Sequence, residues 1–150
     1  EWYVVVQAAL LLLIVLGPGS GAGAAPWAAP YDFFGKMVGG FLMLSGMVLG
    51  AMAGFHLGDN LTPLPHPKDD ATLTVSGPYR LVRHPIYSGI IFAALGWALW
   101  INGGFTLGYA LLLLVFFDIK SRREEEWLKA KFPDYHDYQQ RVRKLIPFVY

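Results

Sequence analysis

The chain has 150 residues, a formal net charge of +1, 55% hydrophobic residues and only 15% charged ones. A soluble domain of this size carries about a quarter charged residues, so the composition excludes an ordinary water-soluble domain. The absence of cysteine removes disulfides, thiolate catalysis and cysteine-ligated zinc together.

The polar deficit is localised. Residues 2–17, 37–55, 86–101 and 105–117 are almost free of charge. Segments of about 20 apolar residues cross a bilayer, and shorter ones lean on interfacial Trp, Tyr and Arg. The expected fold is therefore all-α and integral to the membrane, one domain over 1–150 with about four transmembrane helices. Residues 2–17 lack the basic start of a signal peptide and read as a membrane helix, although the Gly/Ala/Pro-rich stretch after them resembles a cleavage region.

That stretch includes "GSGAG" at 19–23, which is no dinucleotide fingerprint because no strand precedes it. In the second apolar segment Gly35 and Gly39, then Gly46, Gly50 and Gly54, recur every four residues. Small residues at that spacing make a smooth face on which another helix can close.

The next loop, His56 to Pro85, holds Lys68, Arg80 and Arg83, and the tail from Lys120 holds eight more basic residues, leaving only Lys36 elsewhere. The positive-inside rule places both basic regions and both termini in the cytoplasm. From that loop "GPYRLVRHPIYSG", residues 77–89, runs into the third apolar segment. Gly77-Pro78 enforces a bend, and Pro85 suits the first turn of a helix, so the third helix is expected to start near His84–Ile86. Its free N–H groups and positive dipole end would welcome an anion such as a carboxylate. "NGG" at 102–104 turns the third helix into the fourth.

The tail begins with "DIKSRREEEWLKAKF", a run of good helix formers stopped by Pro133. After it, Tyr135, Tyr138, Val142 and Leu145 are spaced as one face of a second helix. Asp137 with Arg141, and Glu125 with Lys129, are one turn apart and positioned to pair. These charges are also what a solvated amphipathic helix beside the membrane would carry. The four histidines show no helical pairing of the zinc type, so no metal is expected, and His66 in "PLPHPK" reads as a loop residue.

Taken in order, "GPYRLVRHPIYSG", the membrane hairpin, "RREEEWL", "FPDYHDYQQRV" and "IPF" resemble the isoprenylcysteine carboxyl methyltransferase family. The related phospholipid N-methyltransferases share the theme. The likeness covers residues 62–150; residues 1–55 match only as hydrophobic helices. The resemblance implies an integral membrane methyltransferase that uses S-adenosylmethionine, held in a cytoplasm-facing pocket beneath C-terminal helices, with a lipophilic small-molecule or lipid substrate entering from the bilayer. It implies cofactor contacts at Leu73, Tyr79, His84, Pro85, Ile86, Tyr87 and Glu125. The family's substrate-side arginine falls on Arg122 or Arg123. The family's Phe-Gly before its tyrosine pair is Phe132-Pro133 here.

Methyl transfer from a sulfonium is an in-line displacement that depends on positioning in a shielded site. A carboxylate acceptor is already ionised at neutral pH and needs an arginine to hold it. An amine or thiol needs a base, for which Glu124 or Tyr138 is placed. No nucleic-acid partner is expected. So compact a chain suggests a prokaryotic inner membrane. The rival readings are a small four-helix transporter or binding protein, and an NADPH-dependent enzyme resembling the sterol reductases.

Overall fold

Residues 2–19, 27–61 and 70–150 are described by the structure, a computed structural model. "GSGAG", apart from its first glycine, His66 and Lys68, and the first residues of the 62–150 motif region lie outside them. Five α-helices follow in order: α1 (Trp2–Val15), α2 (Tyr31–Leu57), α3 (Pro85–Trp100), α4 (Gly104–Lys131) and α5 (Tyr135–Arg141). Short 3-10 turns span Gly58–Asn60 and Gly77–Arg80. Among the described residues there is no strand, only a single parallel bridge between Val82 and Arg143.

Two helices, α2 and α4, are long and apolar enough to cross a membrane. With 14 and 16 residues, α1 and α3 at about 1.5 Å per residue fall short of a hydrocarbon core of roughly 30 Å. The outside is apolar: Phe33, Phe41, Leu44, Met47 and Phe55 on α2 and Leu111, Leu112 and Val115 on α4 are exposed. So many exposed apolar side chains along two long helices suit a lipid-facing surface, and the chain is a membrane protein.

The glycine ladder of α2 lies against α3, as its spacing predicts. A Cβ on Gly46 would stand 2.5 Å from the Gly89 carbonyl oxygen, and one on Gly96 would stand 2.5 Å from that of Gly39. The two backbones therefore touch, which any larger side chain would prevent. Gly54 meets nothing, so the ladder works only as far as the crossing. On the other face of α3, Ile91 and Ala94 pack with Ala110, Leu113, Phe116 and Phe117 of α4. Helix α1 is tied on by Trp97 Nε1, which donates to the Ile14 carbonyl at 3.2 Å.

The hairpin turn falls where "NGG" predicts it, with Asn102 in the left-handed region at φ 52°. Helix α3 starts at Pro85 with His84 as its N-cap. The fourth apolar segment and the charged tail form one uninterrupted 28-residue helix, because nothing between Phe117 and Asp118 breaks the backbone pattern; only the solvent preference changes there. One local expectation fails: past Arg141 the chain leaves the helix, so Val142 and Leu145 do not continue the face begun by Tyr135 and Tyr138. That last segment is drawn off by pairing with the loop before α3.

Candidate active site

The tip of α3 and the C-terminal segment are stapled together by backbone. Arg83 N–H donates to the Arg143 carbonyl at 2.7 Å and His84 N–H to that of Lys144 at 3.1 Å. Ser88 Oγ donates to the Leu145 carbonyl, and Tyr138 Oη donates to the Tyr79 carbonyl at 2.6 Å. These bonds occupy groups that a helix N-terminus and an irregular tail would otherwise leave open.

Around this staple is a buried ionic cluster. Arg83 Nε donates to Glu125 Oε1 at 2.7 Å, and its Nη1 donates to the carbonyls of Gln139 and Val142. The imidazole of His84 lies between two carboxylates, with Nδ1 3.3 Å from Glu124 and Nε2 3.1 Å from Glu125. Gln139 Nε2 donates to the other Glu125 oxygen at 2.8 Å. Two ring nitrogens facing two carboxylates can both donate only as imidazolium. Burial lowers the His84 pKa, but hydrogen bonds and charge from Glu124 and Glu125 outweigh it and the net shift is upward. Glu125 lies in the charged end of α4, beyond the apolar stretch that ends at Phe117. Burial raises its pKa, yet His84 and Arg83 more than offset this and bring it down to about 2. Both shifts favour the charged pair.

Tyr87 extends the cluster. Its hydroxyl donates to Glu124 Oε1 at 2.6 Å, and its ring is stacked between His84 and Phe117, at 5.6 and 4.4 Å between centroids. Lys120, fully buried, sits 5.2 Å above the same ring and donates to Gln7 of α1 at 2.8 Å.

Beside the cluster opens a cleft with about 800 Å³ of empty space, its mouth included. Pro85, Ile86 and Tyr87 from the first turn of α3 line it, with Leu73 and Tyr79 from the preceding loop, and His84 at the rim of both. Six of the seven residues expected at a cofactor site therefore share one cavity. The seventh, Glu125, stands behind His84, and its neighbour Glu124 is the carboxylate that reaches the lining. Adjacent helix positions are about 100° apart, so only one of the pair can face the cleft.

Neither Arg122 nor Arg123 lines this cleft. Both are exposed: Arg122 pairs with Asp118 at 2.8 Å and Arg123 with Glu126 at 3.3 Å. The expected Asp137–Arg141 and Glu125–Lys129 pairs are not made; Arg141 Nε goes to the Asp137 backbone carbonyl, and Glu125 is taken by Arg83 and His84.

Several lining residues carry no sequence signal as site residues. Asn60 closes the loop by donating to the Thr72 carbonyl at 3.1 Å and accepting from Thr72 N–H at 3.2 Å. Leu57, Leu128 and Phe132 supply apolar wall. Tyr135 also lines the cleft, and its buried hydroxyl has no hydrogen-bond partner among the described residues. An unsatisfied buried hydroxyl costs free energy unless something supplies a partner.

A model of the phospholipid methyltransferase family matches residues 34–135. The chain is 32% identical over 121 residues to "Probable protein-S-isoprenylcysteine O-methyltransferase" of Oryza sativa subsp. indica, covering 78% of this chain and 63% of that protein. It is 35% identical over 115 residues to the protein-S-isoprenylcysteine O-methyltransferase of Schizosaccharomyces pombe, covering 73% and 48%. Cobalt-zinc-cadmium resistance protein CzcN of Cupriavidus metallidurans is 32% identical over 77 residues, covering 51% and 36%. The chain thus spans between about half and two thirds of the length of the methyltransferases it resembles.

Proposed function

The chain belongs to the phospholipid methyltransferase family, and from that membership we propose that it transfers a methyl group from S-adenosylmethionine to a lipophilic acceptor at the cytoplasmic membrane interface. In this reading all four apolar helices sit in the bilayer, with the two basic regions and both termini in the cytoplasm. The observation that carries the proposal is the cleft itself. It joins the α3 tip to the charged end of α4, and it combines one carboxylate, a stack of aromatic walls and an orphaned hydroxyl.

Those residues fit an adenosyl sulfonium amino acid. Leu73, Leu128 and Phe132 offer apolar wall for a purine. Glu124 is placed to accept from ribose hydroxyls or an ammonium. First-turn N–H groups at Ile86 and Tyr87, which lack intrahelical acceptors, suit a carboxylate. The tyrosine faces suit a cation, and the Tyr135 hydroxyl would gain the partner it lacks. When bound, the cofactor would supply an electrophilic methyl group.

The chain's own part is then to position and to exclude water. Glu125 holds Arg83 and His84 in place from behind, as a positioning residue. Glu124 faces the cleft already bonded to Tyr87, so it orients a ligand without rearranging. For a carboxylate acceptor no base is required; for an amine or thiol, Glu124 is the base within reach. Arg122 and Arg123 could hold an acceptor's carboxylate only from outside the cleft. The acceptor in this reading is a lipophilic carboxylate, thiol or phospholipid amine.

Calorimetric titration of the purified chain with S-adenosylmethionine, with NADPH alongside, tests the cofactor. Binding of the first and not the second supports the reading. Binding of neither, in protein that melts cooperatively, would remove it. Membranes incubated with active protein and then analysed for a mass gain of one methylene would identify the acceptor.

A further inference from the structure

A second cleft lies on the far side of the Arg83–Glu125 pair. Its walls are the charged end of α4 and the segment 139–150. In contrast to the first, it is cationic. Six basic side chains (Arg83, Arg122, Lys129, Arg141, Arg143 and Lys144) face two acidic ones, Glu125 and Glu126. Glu125 is committed to Arg83 and His84, and Glu126 to Arg123. Lys129, Arg141 and Arg143 are exposed, and among the described residues none of the three forms an ion pair. An uncompensated positive cleft draws anions.

Its level in the molecule says which anion. Lys144 Nζ lies 2.6 Å from Asp118 Oδ1, and Tyr150 Oη donates to the same oxygen at 2.8 Å. Asp118 directly follows the uninterrupted apolar stretch of α4 that ends at Phe117, so these bonds hold the C-terminal segment at the height where lipid tails give way to headgroups. At that height Phe148 and Val149 are 83% and 71% exposed. Apolar side chains beside a basic cleft at a membrane boundary are the arrangement that buries one face in acyl chains and meets phosphate with the other.

We propose that this cleft binds the phosphate of an anionic phospholipid, with Phe148 and Val149 resting in the adjoining acyl region. The site is separate from the methyl-transfer cleft, since the Arg83–Glu125 wall stands between them, and it is independent of what that cleft binds.

The test uses the full chain in detergent, without cofactor. Phosphatidylglycerol, phosphatidylcholine with the same acyl chains, and inorganic phosphate are each titrated. Retained lipid is read by native mass spectrometry and binding by the shift in Tm. Each cation near an anionic headgroup is worth roughly a fivefold gain in binding. With three uncommitted cations, phosphatidylglycerol should therefore bind on the order of a hundredfold tighter than phosphatidylcholine. The combined variant Lys129→Gln, Arg141→Gln, Arg143→Gln should lose about a hundredfold in that affinity, with phosphatidylcholine unaffected. Should the triple variant fail to fold, Lys129→Gln alone should lose roughly fivefold. Equal affinity for the two lipids, undiminished phosphatidylglycerol binding in the variants, or inorganic phosphate binding as tightly as the lipid would each overturn the proposal.

Discussion

The α2–α3 seam and the ionic cluster at the α3 tip are both tight, but different forces hold them. In the seam, glycine backbones approach until a methyl group would clash, and shape does the work in an apolar setting. In the cluster, one arginine and one histidine meet two glutamates forty or more positions away in sequence, and charge does it. The seam should be indifferent to pH and salt and intolerant of volume. The cluster should be the reverse. In the proposed reading function follows the cluster, because a few placed polar groups fix a polar ligand in an otherwise apolar pocket.

The largest effect should come from Glu125→Ala. It leaves Arg83 and His84 buried without their carboxylate, and breaking a buried pair on one side costs on the order of 3–5 kcal/mol. Thermal unfolding in detergent should show a large fall in Tm; a near-native Tm would mean that the cluster contributes little to folding.

Acid should act on the same residues more gradually. The Glu125 pKa is about 2 in the fold against an ordinary 4.5, so its contribution is complete above 4.5 and is lost as pH drops toward 2. The upward shift of His84 from 6.5 has the opposite sign: that contribution is full below 6.5 and fades as pH rises through the folded-state value. Stability followed across pH should decline on both sides. Glu125→Gln should flatten the acid limb, and an unchanged acid limb in that variant would assign it to other carboxylates.

Gly46→Leu attacks the seam instead. Overpacking costs about 1–3 kcal/mol, and here the obstacle is the backbone of Gly89, which cannot rotate away. The loss should be the same at pH 5 and pH 8. A pH-dependent loss would show that seam and cluster are coupled.

Glu124→Gln weights the loss toward binding. It keeps a hydrogen-bond acceptor for Tyr87 but removes the charge that lines the cleft and faces His84. S-adenosylmethionine affinity should fall about tenfold or more, in line with roughly 1.5–3 kcal/mol for a charged hydrogen bond, while Tm should fall less than in Glu125→Ala, because Arg83 and His84 keep Glu125. Unaltered affinity would transfer the cofactor contact to another residue.

Smallest of all, Arg123→Ala should shift stability by less than about 0.5 kcal/mol, since exposed pairs contribute little. Its informative readout is turnover. Normal turnover in both Arg122→Ala and Arg123→Ala would remove these arginines from substrate binding; a loss with cofactor affinity intact would bring the acceptor to them from outside the cleft.

Much of the lining of the cleft was legible in the sequence. Tyr79 and the run His84-Pro85-Ile86-Tyr87 are contiguous or nearly so, and a proline-fixed helix start keeps neighbours together whatever the rest of the chain does. The glutamates were legible as a pair but not individually, because a run of three acids does not say which one faces inward. Arg83 looked peripheral in sequence, and its partner lies 42 residues on. Asn60 and the orphaned Tyr135 hydroxyl gave no sign at all.

By itself, the sequence determined what depends on neighbours along the chain. It set the apolar segments, the glycine spacing of α2, the helix start at Pro85 and the turn at 102–104, since solvent transfer and backbone sterics act within a few residues. Tertiary structure alone decided what depends on distant partners. It chose Glu124 over Glu125 for the cleft, sent Arg83 inward and Arg122 outward, and pulled Val142 to Leu145 out of a helix to pair with the loop before α3. The reason is that burial and ion pairing are settled by whichever groups packing brings within a few ångströms, and local periodicity holds no record of that choice.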